Sequence, residues 1–73
     1  MIKRDFHGYL LSDALLETQL IIGRVRNNGI PETAEFITGN GRIKIEVFET
    51  LKDHGLSPTV KLGNSGGIVV NIE

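Results

Sequence analysis

The 73-residue sequence contains no cysteine and no tryptophan, and its aromatic residues are limited to three phenylalanines and one tyrosine. Without cysteine the chain cannot form a disulfide, a thiolate zinc site or an iron–sulfur cluster. So few aromatic side chains cannot build an extended platform for stacking nucleic acid bases. A chain of this length has room for one hydrophobic core. We therefore expect residues 1–73 to fold as a single stand-alone domain held together by regular packing.

Long apolar runs and an excess of one charge are also absent. No apolar run exceeds three residues, as in Leu20-Ile21-Ile22, whereas a membrane-spanning helix needs about 20. The N-terminus lacks the apolar stretch of a signal peptide. We therefore expect no membrane association and a cytoplasmic location. Eight Lys and Arg against nine Asp and Glu give a net charge of −1, so a nucleic-acid partner would have to bind a local basic patch.

Apolar periodicity predicts two helices and four short strands in the order β-α-β-α-β-β. The strands are predicted at residues 2–6, 33–38, 59–62 and 68–72, and the helices at residues 12–28 and 43–52. The first helix is expected to begin with Ser12 as its N-cap and to end at Gly29, ahead of Pro31. Its buried stripe is predicted to comprise Leu15, Leu16, Leu20, Ile22 and Val25.

This order of elements also predicts the architecture. Right-handed strand–helix–strand crossovers place both helices on the same face of one sheet, which gives an α/β chain organised as a two-layer α+β sandwich. The covered sheet face is predicted to carry Phe6, Phe36, Val60, Leu62, Ile68, Val70 and Ile72. The opposite face, open to water, is predicted to carry Lys3, Asp5, His7, Glu35, Lys61 and Asn71. Arg4 falls among the apolar positions, and we expect it at a sheet edge where its head group can reach water.

Polar residues and glycines cluster where the first two strands end. Asp5 and His7 lie two residues apart at the end of the first strand, and a Gly39-Asn40-Gly41 turn follows the second. The carboxyl ends of parallel strands share one edge, where α/β proteins bind ligands. A carboxylate beside an imidazole can serve general acid–base catalysis. The glycine turn leads into a helix with Arg42 and Lys44 at its start, and its N–H groups can bind a phosphate.

A plainer interpretation of each motif stays open. Asp-x-His-Gly can also be a strand end whose polar groups satisfy the amides of a turn, and Gly-x-Gly can serve backbone geometry alone. His54, beside Gly55 at the end of the second helix, is interpreted as a residue that terminates the helix. No metal-ligand spacing such as His-Glu-x-x-His occurs, although Asp5 could bind a hard cation.

Three motifs, in order, resemble the Smr (small MutS-related) domain family across nearly the whole chain. Arg4-Asp5-Phe6-His7-Gly8 resembles the opening Leu-Asp-x-His-Gly of the family, and Ala14-Leu15 resembles the Ala-Leu pair that follows it. Residues 36–41, Phe-Ile-Thr-Gly-Asn-Gly, resemble the central His-Gly-x-Gly or Thr-Gly-x-Gly motif. Residues 63–67, Gly-Asn-Ser-Gly-Gly, resemble the glycine-rich approach to the last strand. Arg4 and Thr38 stand where the family most often has leucine and histidine.

The resemblance implies a sandwich similar to the C-terminal domain of bacterial translation initiation factor three, with a mixed sheet in the order 1-2-4-3 and an antiparallel strand 4. It also implies endonuclease activity on RNA or DNA, in several family members at the ribosome. Asp5 and His7 then correspond to the catalytic pair. The residues expected to contact the nucleic acid backbone are Gly8, Thr38, Gly39, Asn40, Gly41, Arg42 and Lys44.

The expected partners leave two alternatives. Metal dependence varies within the Smr family, so a Mg²⁺ requirement stays open and no metal ligand is assigned. We expect a monomer that binds RNA or DNA. The first alternative is a non-catalytic module that docks on RNA or a ribosome through the same edge. The second is a protein-interaction module that uses the final hairpin or the open sheet face.

Overall fold

The computed structural model describes all of residues 1–73 and contains the six elements in the predicted order. They are β1 (Ile2–Asp5), α1 (Leu11–Asn28), β2 (Glu32–Ile37), α2 (Arg42–Asp53), β3 (Thr59–Val60) and β4 (Gly67–Ile72). Each observed boundary lies within two residues of its predicted position. Neither helix combines the length and the apolar character that crossing a membrane requires.

The four strands form one mixed sheet in the order β1-β2-β4-β3. β1 runs parallel to β2, with Ile2 aligned to Ala34, whereas β4 is antiparallel to both β2 and β3. In the antiparallel pairs Ile37 lies opposite Gly67, and Val60 lies opposite Ile68. The predicted strand order and the antiparallel fourth strand are confirmed.

One core lies between the sheet and the two helices, which pack on the same sheet face. The stacked rings of Phe6 and Phe36, with centroids 5.5 Å apart, form its centre. The sheet adds Ala34, Ile68, Val70 and Ile72, and the helices and the following loop add Ala14, Ile21, Ile22, Val25, Val47, Leu51 and Leu56. The prediction of a two-layer sandwich is therefore confirmed, with the second sheet face left free of helices.

The first helix departs from prediction at its start and along its stripe. It begins one residue early, with Leu10 as its N-cap, and no side chain caps it, so the predicted role of Ser12 is wrong. Leu16 and Leu20 are more than half exposed. Thr18 occupies the core in their place, because its hydroxyl donates a hydrogen bond to the Ala14 carbonyl at 2.8 Å and leaves no polar group unpaired.

The last strands also depart from prediction, since Val60 and Leu62 are exposed instead of covered. β3 is two residues long and lies at the sheet edge. The chain turns directly after it, where the Asn64 N–H donates to the Lys61 carbonyl at 3.1 Å. Leu62 therefore lies in a turn and is 98% exposed. Alternation alone predicts the face of a residue in a strand, and it fails once the strand has ended.

Two other predictions about the sheet, its open face and the edge position of Arg4, agree with the structure except at one residue. Lys3, Asp5 and Asn71 are exposed, as expected. Arg4 lies on the edge strand β1, and its Nε is 3.5 Å from Glu17 Oε2 in α1. Glu35 is the exception, because it lies on the helix-free face and is nevertheless buried.

Candidate functional site

β1 ends in a tight turn that exposes His7. The Phe6 N–H donates to the Ile37 carbonyl at 2.8 Å, which keeps β1 and β2 aligned to their shared carboxyl edge. The Tyr9 N–H then donates to the Phe6 carbonyl at 3.0 Å and closes a four-residue turn. Gly8 takes φ +79° at the third position of this turn, a conformation that favours glycine. His7 lies in the turn and not in the strand.

Asp5 holds this turn through the main chain. Its Oδ1 accepts a hydrogen bond from the His7 backbone N–H at 2.9 Å, the contact of an Asx turn. No hydrogen bond joins the carboxylate to the His7 ring. The structure thus brings Asp5 and His7 to one exposed turn, where the carboxylate fixes the backbone that carries the imidazole.

The glycine turn after β2 is attached to the approach to β4. The N–H groups of Thr38 and Gly39 both donate to the Gly66 carbonyl, at 2.8 and 3.0 Å. The Thr38 hydroxyl is buried and lies 3.2 Å from the same oxygen. A Cβ at Gly66 would lie 3.1 Å from the Gly39 Cα, so any other residue here would push the two segments apart. Two of the amides that the sequence predicts as phosphate ligands are therefore already in use.

The next two amides are free. The N–H groups of Asn40 and Gly41 donate no hydrogen bond within the protein. Gly41 is the N-cap of α2, and no side chain caps this helix. The first N–H groups of a helix have no intrahelical acceptor. The start of α2 consequently presents a set of unpaired amide donors to the surface.

The charges at this helix start oppose the helix dipole. A helix N-terminus favours anions, yet the first turn of α2 contains no acidic residue and carries Arg42 and Lys44. Neither cation forms an ion pair within the chain. In α1, by contrast, Asp13 occupies the first turn. The free amides and unpaired cations of α2 together form a site suited to an anion such as phosphate.

An open groove continues from this anion site along α2. It has a volume of about 370 Å³ and is lined by Asn40, Lys44, Ile45, Phe48, Glu49 and Val60. The sequence does not predict this groove, because Val60 is expected on the covered sheet face. Ile45 is the residue that could have revealed it, since it lies off the buried stripe of Val47 and Leu51 and is 61% exposed.

A second polar feature lies on the helix-free face of the sheet. Lys61 Nζ donates a hydrogen bond to Glu35 Oε2 at 2.9 Å. This hydrogen bond and the positive charges of Lys61 and Lys3 hold the pKa of the Glu35 carboxyl below its usual range, although burial acts to raise it. Gly67 leaves room for the Lys61 side chain, because it has no Cβ, and a Cβ there would lie only 3.2 Å from the Lys61 Cβ. The pair ties β2 to the final hairpin.

The remaining candidates have structural roles. His54 ends α2, where its N–H donates to the Thr50 and Leu51 carbonyls and its Nδ1 lies 2.8 Å from the Thr50 oxygen, as predicted. No group of three or more His, Cys, Asp or Glu side chains comes together in the chain. The carboxylate of Asp5 is the single acidic group among the candidate residues, so the side chains do not form a Mg²⁺ site by themselves.

Comparison with known proteins gives no relative. No protein-family model matches the chain, and neither a curated protein nor a solved structure matches it. Any function must therefore be inferred from the residues at this edge and from their geometry.

Proposed function

We propose that this chain is a nucleic-acid-binding domain of the Smr type that holds the phosphodiester backbone at the start of α2. The observation that carries the proposal is the uncapped helix N-terminus, where the Asn40 and Gly41 amides are free and Arg42 and Lys44 have no acidic partner. A phosphate would satisfy the amides and neutralise both cations.

A local site of this kind fits the overall charge of the protein. With a net charge of −1, the chain has no long-range field that would draw it to any polyanion. Binding must therefore come from the few donors and cations concentrated at one edge. The resemblance in three motifs implies RNA or DNA as the ligand, and we take RNA in the cytoplasm, including RNA at the ribosome, as the favoured one because several family members act at the ribosome.

The proposal includes cleavage of the bound backbone at the turn after β1. His7 is exposed beside the parallel carboxyl end of β2, and an imidazole transfers protons near neutral pH. In this mechanism His7 accepts the proton of the attacking 2′-hydroxyl or water as its oxygen bonds to phosphorus. The phosphorus–oxygen bond to the next nucleoside breaks, and the leaving oxygen takes a proton from water. Asp5 acts as a positioning residue by fixing the turn, through its bond to the His7 N–H. The Asn40 and Gly41 amides and Arg42 stabilise the charge on the phosphate.

A non-catalytic docking module is the second candidate. It is favoured by one observation, the Asp5 carboxylate bound to a main-chain amide and not to the imidazole. In this case the turn after β1 shapes the edge, and the start of α2 does the binding. The two candidates share the phosphate site and differ only in what His7 does.

One experiment separates these functions. Wild type, an Asp5→Ala/His7→Ala variant and an Arg42→Glu/Lys44→Glu variant are incubated with end-labelled structured RNA and with plasmid DNA, with Mg²⁺ or with chelator. Denaturing gels report cleavage, and fluorescence anisotropy reports binding. Circular dichroism confirms that each variant is folded.

The proposed nuclease predicts cuts by wild type, no cuts by the Asp5/His7 variant with binding retained, and weak binding by the charge-reversal variant. Intact substrates with the same pattern of binding would indicate the docking module. Binding that is unchanged by charge reversal would refute both. A mass that rises with concentration and is indifferent to salt and RNA would instead support a protein-interaction module.

A further inference from the structure

The groove along α2 and the anion site at its start are continuous. Asn40 and Lys44 line the groove and are also part of the anion site. Asn40 contributes one of the two free amides, and Lys44 contributes one of the two unpaired cations. A ligand that places a phosphate on those amides therefore brings its neighbouring atoms to the mouth of the groove. The occupant of the groove would therefore be a group next to the bound phosphate, such as a base.

The lining of the groove combines three apolar side chains with three polar ones, Asn40, Lys44 and Glu49. Ile45 and Val60 are 61% and 47% exposed. Phe48 is half-buried in α2 and packs against the core. Ligand sites commonly combine such an apolar wall with a few polar groups that orient the ligand.

We propose that this groove binds one unpaired base of the RNA strand whose phosphate lies at the start of α2. This inference rests on the proposed function and adds to it a substrate class, single-stranded RNA or an RNA loop. The base packs against Phe48, Ile45 and Val60, and its polar edge meets Asn40 and Glu49. Lys44 and Arg42 attract the adjoining phosphate, which gives the groove its charge complementarity to a nucleotide.

Duplex RNA does not fit this arrangement. Its bases are stacked and paired, whereas only an unpaired base can turn out of the strand and pack on a side chain. The groove volume of about 370 Å³ lies at the small end of the range of about 300–1,000 Å³ for ligand sites, which suits a small group such as one base.

A peptide strand is a poorer occupant of the same groove. A peptide that joined the sheet would add to the outer edge of β3, which is two residues long and offers few main-chain hydrogen bonds. It would also leave the free amides at the start of α2 and the two cations without a partner. The groove and the anion site together therefore favour a nucleotide.

The test compares three RNA probes by fluorescence anisotropy at one salt concentration: a 12-nucleotide single strand, its duplex, and the same single strand with abasic positions. The proteins are the wild-type 73-residue chain, Ile45→Ser and Leu20→Ser. Leu20 is the matched control, because it is an apolar residue on α1 with 55% exposure against 61% for Ile45. Both changes lie at the surface, and thermal melts confirm the fold.

We expect wild type to bind the single strand roughly tenfold more tightly than the duplex or the abasic strand, since only an unpaired base can pack against Phe48 and its apolar neighbours in the groove. Ile45→Ser should lose most of that preference and leave duplex binding unchanged, and Leu20→Ser should match wild type. Equal affinity for all three probes, or equal behaviour of the two variants, would overturn this inference and leave the proposed function standing. Wild type that binds none of the probes would overturn both.

Discussion

The two ends of the sandwich use arginine in opposite ways. At the end where both helices terminate, Arg26 lies in the last turn of α1, its Nε donates to the Glu73 carbonyl at 2.9 Å, and its Nη2 donates to the His54 carbonyl at 2.5 Å. We call this the closed end. At the open end, residues 38–44, Arg42 lies in the first turn of α2 and has no partner.

The difference separates an arginine that is paired within the fold from an arginine that is left unpaired beside free amides. A cation in the last turn of a helix interacts favourably with the dipole, whereas a cation in the first turn does not. Arg26 also satisfies carbonyl groups that would otherwise be unpaired, while the open end leaves amides unpaired. Locally unfavourable features of this kind are expected at functional sites. Arg26 therefore contributes to stability at the closed end, whereas the open end carries the binding site that we propose.

The largest effect is expected from a methyl group placed where the open end is attached to β4. In Gly66→Ala the new Cβ would lie 3.1 Å from the Gly39 Cα. The backbone has to shift, so we expect the free energy of unfolding to fall by about 1–3 kcal/mol. RNA binding should weaken as well, because the Gly66 carbonyl holds the Thr38 and Gly39 amides. Urea unfolding and anisotropy measure the two effects.

Gly23→Ala is the control for this change. Gly23 lies within α1, and nothing comes within 4 Å of an added Cβ. The same substitution should therefore stabilise the protein by about 0.5–1 kcal/mol through helix propensity. A loss of stability at both positions would show that the close approach of Gly66 to Gly39 is not the cause.

The closed end is tested by removing its arginine. Arg26→Ala loses two hydrogen bonds to carbonyl groups of distant segments. Because the side chain is exposed, we expect a loss of about 1 kcal/mol in unfolding free energy. RNA affinity should not change. A marked loss of RNA binding in a folded Arg26→Ala protein would contradict the division of roles between the two ends.

Arg42→Glu should act in the opposite sense. It replaces an unfavourable cation at the start of α2 by an anion that the dipole favours, so we expect stability to rise by about 0.3–1 kcal/mol while RNA binding weakens. The matched control is Lys52→Glu, which changes the charge equally in the last turn of the same helix, where Lys52 lies 3.9 Å from Glu49. That variant should be slightly less stable and bind RNA as wild type does. Equal losses of affinity in the two variants would indicate a nonspecific charge effect.

Much of the fold could be predicted because its determinants are local. The periodicity of each segment, together with the glycines at 29 and 39, predicts the six elements and their order. Right-handed crossovers then place both helices on one face of the sheet. The failures involve residues whose surroundings come from elsewhere in the chain. Val60 lies on the predicted side of β3, but α2 leaves a groove beside it. Glu35 lies on the predicted face, but Lys61 covers it.

The candidate site shows the same limit. Sequence placed Asp5, His7 and residues 38–41 at one edge, which the parallel pairing of β1 and β2 bears out. It could not show which amides are free, because that depends on the Gly66 carbonyl, 28 residues after Thr38. Nor could it show that Asp5 bonds the His7 backbone, although an Asx turn was the plainer interpretation of this motif.

The smallest change in stability at neutral pH is expected from breaking the Glu35–Lys61 pair, which lies within the sheet. The lowered pKa of Glu35 in the folded protein means that the unfolded chain takes up the proton more readily. The pair therefore contributes its full stability above about pH 4.3, the ordinary value for glutamate, and loses it as the pH falls through the folded pKa. Glu35→Gln should lower the melting temperature at pH 7, and the gap to wild type should narrow as the pH falls below about 4.3. Lys61→Met removes the largest cause of the lowered pKa and leaves only the charge of Lys3, so the melting temperature should depend less on pH in this range. A gap that stays constant with pH would show that the hydrogen bond to Lys61 does not favour the ionised carboxylate.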